Sequence, residues 1–181
     1  IRRVCAAYRI DLSSAAEPDP LAYRSFNAFF TRALRPDARP LDPDPSALLS
    51  PVDGRISQFG TIRHGHLLQA KGHQYRLEDL LAGDSALTAR LDGGQFATIY
   101  LSPPDYHRIH MPWPGRLQSM TFVPGRLFSV NAASVAQVPR LFARNERLIL
   151  TFESSLGPLV VIFVGAIFVG SMETVWAGEV R

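Results

Sequence analysis

Three short stretches of this chain concentrate side chains able to move protons or hold charge. In Ser50-Pro51-Val52-Asp53-Gly54 a carboxylate stands between a proline and a glycine, the composition of a tight turn in which aspartate bonds its own backbone. Asp53 is therefore either a turn former or a carboxylate presented at a fixed angle. In Leu101-Ser102-Pro103-Pro104-Asp105-Tyr106-His107-Arg108-Ile109-His110-Met111-Pro112 two histidines lie three apart, bracketed by prolines, so they belong to a rigid loop or one short turn. Their spacing invites a metal, but a stable site needs a third and usually a fourth ligand, and the chain has a single cysteine, Cys5. No metal is expected. Acid–base work is the other chemistry open to His107 and His110, oriented by Asp53 or Asp105. Two structural imidazoles bonded to backbone carbonyls would leave the same pattern. The third stretch runs from Val123-Pro124-Gly125-Arg126-Leu127-Phe128-Ser129-Val130-Asn131 to Pro139-Arg140-Leu141-Phe142-Ala143-Arg144-Asn145-Glu146-Arg147. Its mixture of apolar side chains, arginines and asparagines suits a pocket for an anionic head group beside an acyl chain, although loops over a core would read alike. Phe128, Ser129, Asn131 and Arg144 are its candidate binding residues.

These stretches need a scaffold, and the composition supplies one. The chain has 181 residues, 46% of them hydrophobic, enough for a domain with a real core. Among the 19 cationic residues Lys71 is the one lysine, so the net charge of +3 rests on guanidinium groups, which suit phosphate and carboxylate. A GC-rich genome would give the same bias. The charge is too small to argue for nucleic acid, and one cysteine forms no internal disulfide. No window reaches the roughly 18 apolar residues of a spanning helix. The chain begins with Ile1 and stops at Arg181 just after a strand-like segment, Thr174 to Trp176, so a fragment at both ends is expected.

Residues 1–35 read as two helical pieces, the second opened by Asp19 and Pro20 and closed by Pro36. In that piece Tyr23, Phe26, Phe29 and Phe30 share a face, with Arg24, Arg32 and Arg35 nearby. Such a stripe packs into a core more often than it lies in a membrane interface, though either use is open. Residues 36–50 form a linker rich in proline and aspartate. Residues 51–181 alternate short apolar runs with Gly, Pro and Asp: Arg55 to Ile62, His66 to Ala70, Phe96 to Leu101, Leu117 to Val123, Leu148 to Phe152, Leu159 to Val169 and Glu173 to Trp176, with a helix at Leu77 to Leu81. The run from Leu159 to Val169 reads as one or two buried strands. The expected fold is α+β: N-terminal amphipathic helices, then a predominantly antiparallel, sandwich-like β-rich domain with short helices.

Taken together, the segments Phe26 to Arg32, Ser50 to Gly54, Gln69-Ala70-Lys71-Gly72, Asp105 to Pro112, Val123-Pro124-Gly125 with Phe128 to Asn131, Leu141 to Arg147, and Val164-Gly165-Ala166 through Val169-Gly170-Ser171 resemble phosphatidylserine decarboxylase of the bacterial and mitochondrial type. The match runs through nearly the whole chain. Val52 stands where that family commonly has alanine. The resemblance implies a pyruvoyl-dependent carboxy-lyase of phospholipid biosynthesis, made as a proenzyme that cuts itself at a Gly-Ser bond in a Leu-Gly-Ser-Thr type motif. It further implies that Asp53 and His110 serve that cut as carboxylate and base, that His107 handles protons during decarboxylation, and that the pyruvoyl carbonyl forms a Schiff base with the substrate amine.

No Leu-Gly-Ser-Thr segment is present. Gly170-Ser171 lies in a strand-like context and is not assigned as the cofactor serine, which is expected beyond Arg181. The implied partners are phosphatidylserine, an anionic membrane surface, the pyruvoyl-bearing α chain and a second copy in a homodimer, with no nucleic acid. The implied location is peripheral, on the cytoplasmic face of the bacterial inner membrane. The alternative is a decarboxylase-like lipid-binding module that has lost catalysis. A hydrolase built on Ser102 or Ser129 fits less well, since neither sits in a nucleophile-elbow pattern.

Overall fold

The structure is a computed structural model that describes residues 1–70 and 73–181. Lys71 and Gly72, which belong to one of the family-like segments, lie outside the described residues. In chain order the elements are α1 (Arg2–Tyr8), α2 (Phe26–Phe30), β1 (Arg55–Thr61), β2 (His66–Ala70), β3 (His73–Arg76), α3 (Leu77–Leu80), α4 (Ser85–Leu91), β4 (Gln95–Tyr100), β5 (Gly115–Val123), α5 (Ala132–Gln137), α6 (Leu141–Arg144), β6 (Arg147–Ser154), β7 (Gly157–Val164), β8 (Met172–Thr174) and β9 (Gly178–Val180). The fold is α+β with antiparallel sheets and short helices. The chain divides into two compact units, residues 1–55 with 99–113, and residues 56–98 with 114–181.

The second unit carries the larger core. Its main sheet has the order β5-β6-β7, antiparallel throughout, with Leu148 opposite Phe122 and Phe163, and Leu150 opposite Met120 and Val161. Successive side chains of a strand point to opposite faces. Leu148, Leu150 and Phe152 accordingly join Met120, Phe122, Leu159, Val161 and Phe163 in one apolar cluster. Ile149 joins Val123, Val160, Ile162 and Val164 in the other, together with Leu77, Leu80, Leu87 and Leu141 from the helices. Each fully buried Leu or Ile contributes about 1.5–3 kcal/mol, so the two-sided burial of β6 makes it the keystone of this unit.

Three buried polar side chains fix the loops around that sheet. Asn145 is 0% exposed; its Oδ1 accepts from the Phe128 amide, and its Nδ2 donates to the carbonyls of Phe128 and Gly165. Gln69 donates to the carbonyls of Val135 and Val138 and accepts from the Leu141 amide, pinning the connection between α5 and α6. Arg147 donates to the carbonyls of Asp79, Leu80, Ala143 and Asn145, closing the ends of α3 and α6. Gly125 is required by close approach, because a Cβ there would stand 2.5–2.6 Å from backbone atoms of Glu146, Arg144 and Asn145.

Two sequence expectations shift here. The apolar run from Leu159 to Val169 is a single strand ending at Val164, after which Ala166 and Val169 exchange backbone hydrogen bonds across a tight turn that leaves Ile167 and Phe168 exposed. The Gly165 carbonyl there accepts from the Asn145 side chain. Likewise β8 stops at Thr174, and Val175 and Trp176 form the exposed tip of its hairpin with β9, where Gly178 adopts a positive φ of 67°.

The first unit has little regular structure. Residues 1–35 contain two helices as expected, but the second is short, because Ser25 rather than Asp19 caps it by accepting from the Ala28 amide. Asp19 instead accepts from the Leu21 amide in a local turn. Of its aromatic stripe Phe29 is fully buried, edge-on to Tyr23 and beside Phe26, while Tyr23 and Phe30 are partly buried and Phe26 is half exposed. Phe29, Ile10, Leu12 and Ala15 form a small core. The proline and aspartate segment turns on its own carboxylates, with Asp42 accepting from the Asp44 amide and Asp44 from the Ser46 amide. Among the described residues no helix is long and apolar enough to cross a membrane.

Candidate active site

Asp53, His107 and His110 all lie in the first unit, and backbone bonds draw their segments together. The His110 amide donates to the Pro51 carbonyl at 2.8 Å, and the Leu49 amide donates to the Pro112 carbonyl at 3.0 Å, so the histidine loop runs beside the Pro51–Gly54 turn. Gly54 permits this close packing: a Cβ there would lie 2.7 Å from the Tyr100 carbonyl oxygen. The loop is braced from within, as Asp105 accepts from both the amide and hydroxyl of Ser102. The Arg108 side chain reaches the Thr31 carbonyl.

His107 is half buried, its ring centroid 4.0 Å from that of Phe30. Its Nδ1 lies 2.8 Å from the Asp105 carbonyl oxygen. A carbonyl only accepts, so Nδ1 carries the proton and Nε2 is the acceptor nitrogen of the neutral ring. Burial pushes the imidazole below its ordinary value of 6.5, with the carbonyl bond opposing. Burial thus favours the neutral His107 ring, with Nε2 its acceptor atom.

His110 is more exposed and pairs through Nε2 with the Tyr106 hydroxyl at 2.9 Å, the two rings nearly parallel. Tyr106 is buried, which raises its phenol and keeps it protonated. Asp53 is gripped by Arg39: Nε lies 2.9 and 3.1 Å from its two oxygens, and Nη2 closes the fork. That bidentate pair holds the Asp53 carboxyl below its ordinary 3.8, and His110 adds to the effect from nearby. Asp53 and His110 are therefore neighbours whose direct partners are Arg39 and Tyr106 respectively.

Sequence reasoning gave Arg39 no role, since it falls within the stretch read as linker; it gave Tyr106 none either, and took Phe30 as part of an aromatic stripe with no link to His107. A lone arginine between prolines is a weak signal, and nothing in the spacing ties residue 39 to residue 53. Beside these groups lies a cavity of about 250 Å³, lined by Arg9, Arg32, Arg39, Asp53 and Tyr106 among others.

The four expected binding residues lie in the second unit. The Arg144 guanidinium stacks on the Phe128 ring, 4.8 Å from its centroid. Asn131 caps α5 by accepting from the Ser134 amide, and the Ser129 hydroxyl accepts from the Asn131 amide at 3.5 Å. Of the arginines in this stretch, Arg147 is committed to backbone carbonyls and Arg140 to Asp79 at 3.3 Å. The Ser171 hydroxyl donates to Glu179 at 2.8 Å, a carboxylate also bound by Arg181. Among the described residues no group of three or more His, Cys, Asp or Glu is placed to hold a metal ion.

The family profile described as phosphatidylserine decarboxylase matches residues 26–180. The phosphatidylserine decarboxylase proenzyme of Bordetella pertussis is 58% identical over 180 residues, covering 99% of this chain and 61% of that protein. Its counterpart in Azotobacter vinelandii is 54% identical over 180 residues, covering 99% and 63%, and that of Pseudomonas putida W619 is 57% identical over 173 residues, covering 96% and 60%. The chain therefore spans about three fifths of the length of these relatives. With the matched region taking in both the Pro51–Gly54 turn and the histidine loop, the chain belongs to the phosphatidylserine decarboxylase family.

Proposed function

We propose that this chain supplies the acid–base residues of an enzyme that converts phosphatidylserine to phosphatidylethanolamine and carbon dioxide. Membership of the family, together with one carboxylate and two imidazoles drawn into a single compact unit, carries this reading. The cofactor would be a pyruvoyl group formed by self-cleavage at a serine beyond Arg181, in the longer polypeptide that the relatives represent. Such a group supplies an electron sink for the bond that breaks as carbon dioxide leaves. The residues present fit it, because His107 offers a neutral imidazole with a defined acceptor nitrogen in a half-buried, aromatic setting.

In this reading His110 takes the serine hydroxyl's proton during self-cleavage and Asp53 orients the imidazolium that results. Each must first exchange its present partner, Tyr106 for one and Arg39 for the other. His107 Nε2 holds and returns a proton during turnover. Arg144 on Phe128, with Ser129 and Asn131 close in sequence, would receive an anionic head group and adjoining acyl carbons. Because the acyl chains keep the substrate in a bilayer, the enzyme would work peripherally at an anionic membrane surface, the cytoplasmic face of the bacterial inner membrane. Partnership with the pyruvoyl-bearing α chain and assembly as a homodimer complete the proposal.

The test is intact-protein mass spectrometry of the reading frame continued past Arg181. Two chains, the smaller blocked by a pyruvoyl group, are expected. Asp53→Asn and His110→Ala should abolish the cut, whereas His107→Ala should still be cut yet lose turnover. A single uncut wild-type chain would turn the reading toward a lipid-binding module without catalysis, and normal processing of the His110 variant would overturn its role.

A further inference from the structure

Arg32 is 4% exposed, yet its Nε and Nη1 are buried without a hydrogen-bond partner. Among the described residues Nη2 alone is engaged, with the Pro104 carbonyl at 3.0 Å and the Asp105 carbonyl at 3.5 Å. The Phe29 ring, 5.4 Å from the guanidinium carbon, offers a further weak attraction. No carboxylate forms an ion pair with it among the described residues. A buried charge left in this state is costly, and buried guanidinium groups ordinarily meet an anion.

Arg32 lines the cavity of about 250 Å³ in the first unit, together with Arg9 and Arg39. The carboxylates on that wall are already committed. Asp53 is bound by Arg39, Asp11 accepts from the amide and hydroxyl of Ser13, and Asp105 does the same with Ser102. A phosphate or carboxylate group fits within that volume.

We propose that this cavity is an oxyanion site, taking a phosphate or carboxylate group between the guanidinium groups of Arg32, Arg39 and Arg9. The anion comes from a phospholipid head group or from free phosphate; the recognition chemistry is the same. Nε and Nη1 of Arg32 are closed off from solvent, so the anion engages them as the guanidinium turns toward it. An anion there also competes with Asp53 for Arg39, which links occupancy of the site to release of the carboxylate. The site does not depend on the decarboxylase reading, since binding is measured without turnover.

The experiment is calorimetric titration of the intact protein with inorganic phosphate, and separately with glycerophosphoserine, in buffer of low ionic strength. Saturable binding to one site is expected, weakened about tenfold or more by Arg32→Met and by roughly threefold in Arg9→Gln. Competition between the two probes assigns the site to the lipid head group, and binding of phosphate alone assigns it to the free ion. Absence of binding by both, or equal binding by the Arg32→Met variant, overturns the proposal. Should that variant fold poorly, NMR of isotope-labelled arginine side chains in the wild-type protein decides. The Arg32 Nε–H resonance must move on saturation with phosphate, and movement confined to exposed arginines refutes the site.

Discussion

Arg147 in the second unit and Arg32 in the first are buried to the same degree, 3% and 4% exposed, and are treated in opposite ways. Arg147 spends all three of its nitrogens on four backbone carbonyls at helix ends, so its charge is absorbed by dipoles. Arg32 leaves two nitrogens without partners beside a polar cavity. The surroundings differ in the same sense. The unit holding Arg147 is built on a sheet buried on both faces, whereas the unit holding Arg32 is held by turns, single backbone bonds and ion pairs around a small apolar core. Burial alone does not reveal what an arginine does; how many of its donors are satisfied does.

The sharpest way to break this comparison is to remove each guanidinium. Arg147→Met should destabilise the protein by about 3–5 kcal/mol in chemical denaturation, because several buried carbonyls lose their donor at once. Arg32→Met should change stability by no more than about 1 kcal/mol in phosphate-free buffer, since removal of an uncompensated charge offsets the lost Pro104 bond. Equal losses would erase the distinction. Gly54→Ala should cost about 1–3 kcal/mol, its new methyl group being forced against the Tyr100 carbonyl, and the midpoint of thermal unfolding would report it.

Titration of His107 and Asp53 probes the first unit. His107 has a folded-state value below 6.5, so between that value and 6.5 the unfolded chain binds more protons and stability rises with pH. Stability should therefore fall as the solution is acidified below 6.5, and His107→Phe should flatten that slope in a series of melts. Asp53 is also depressed, so its contribution is present above 3.8 and is lost as pH falls through the lower folded value. Arg39→Gln should shrink that acid-side loss while costing less than about 1 kcal/mol near neutral pH, because the Arg39 side chain is half exposed.

Much of the second unit was legible from the chain. The apolar runs Leu148 to Phe152 and Leu159 to Val164 mark strands, while the division of their side chains between two apolar clusters came from the fold. The helices α4, α5 and α6 were not anticipated, because each spans two turns or fewer and its caps, Asp84 and Asn131 among them, resemble ordinary loop residues. In the first unit the proline-bracketed histidines and the Asp53-Gly54 turn were readable as rigid, chemically competent loops. Their hydrogen-bond partners were not.

From sequence alone came the α+β class and the residue types available for proton transfer, which depend on local patterns of apolarity, proline and glycine, and the family likeness, which rests on the resemblance of its ordered segments. Tertiary structure alone decided that Arg39 grips Asp53, that Tyr106 holds His110, that Arg147 is satisfied and that Arg32 is not. A long polar side chain can reach many groups, and the partner it takes is set by which atoms folding brings within about 3 Å, a distance that carries no periodic trace in the chain.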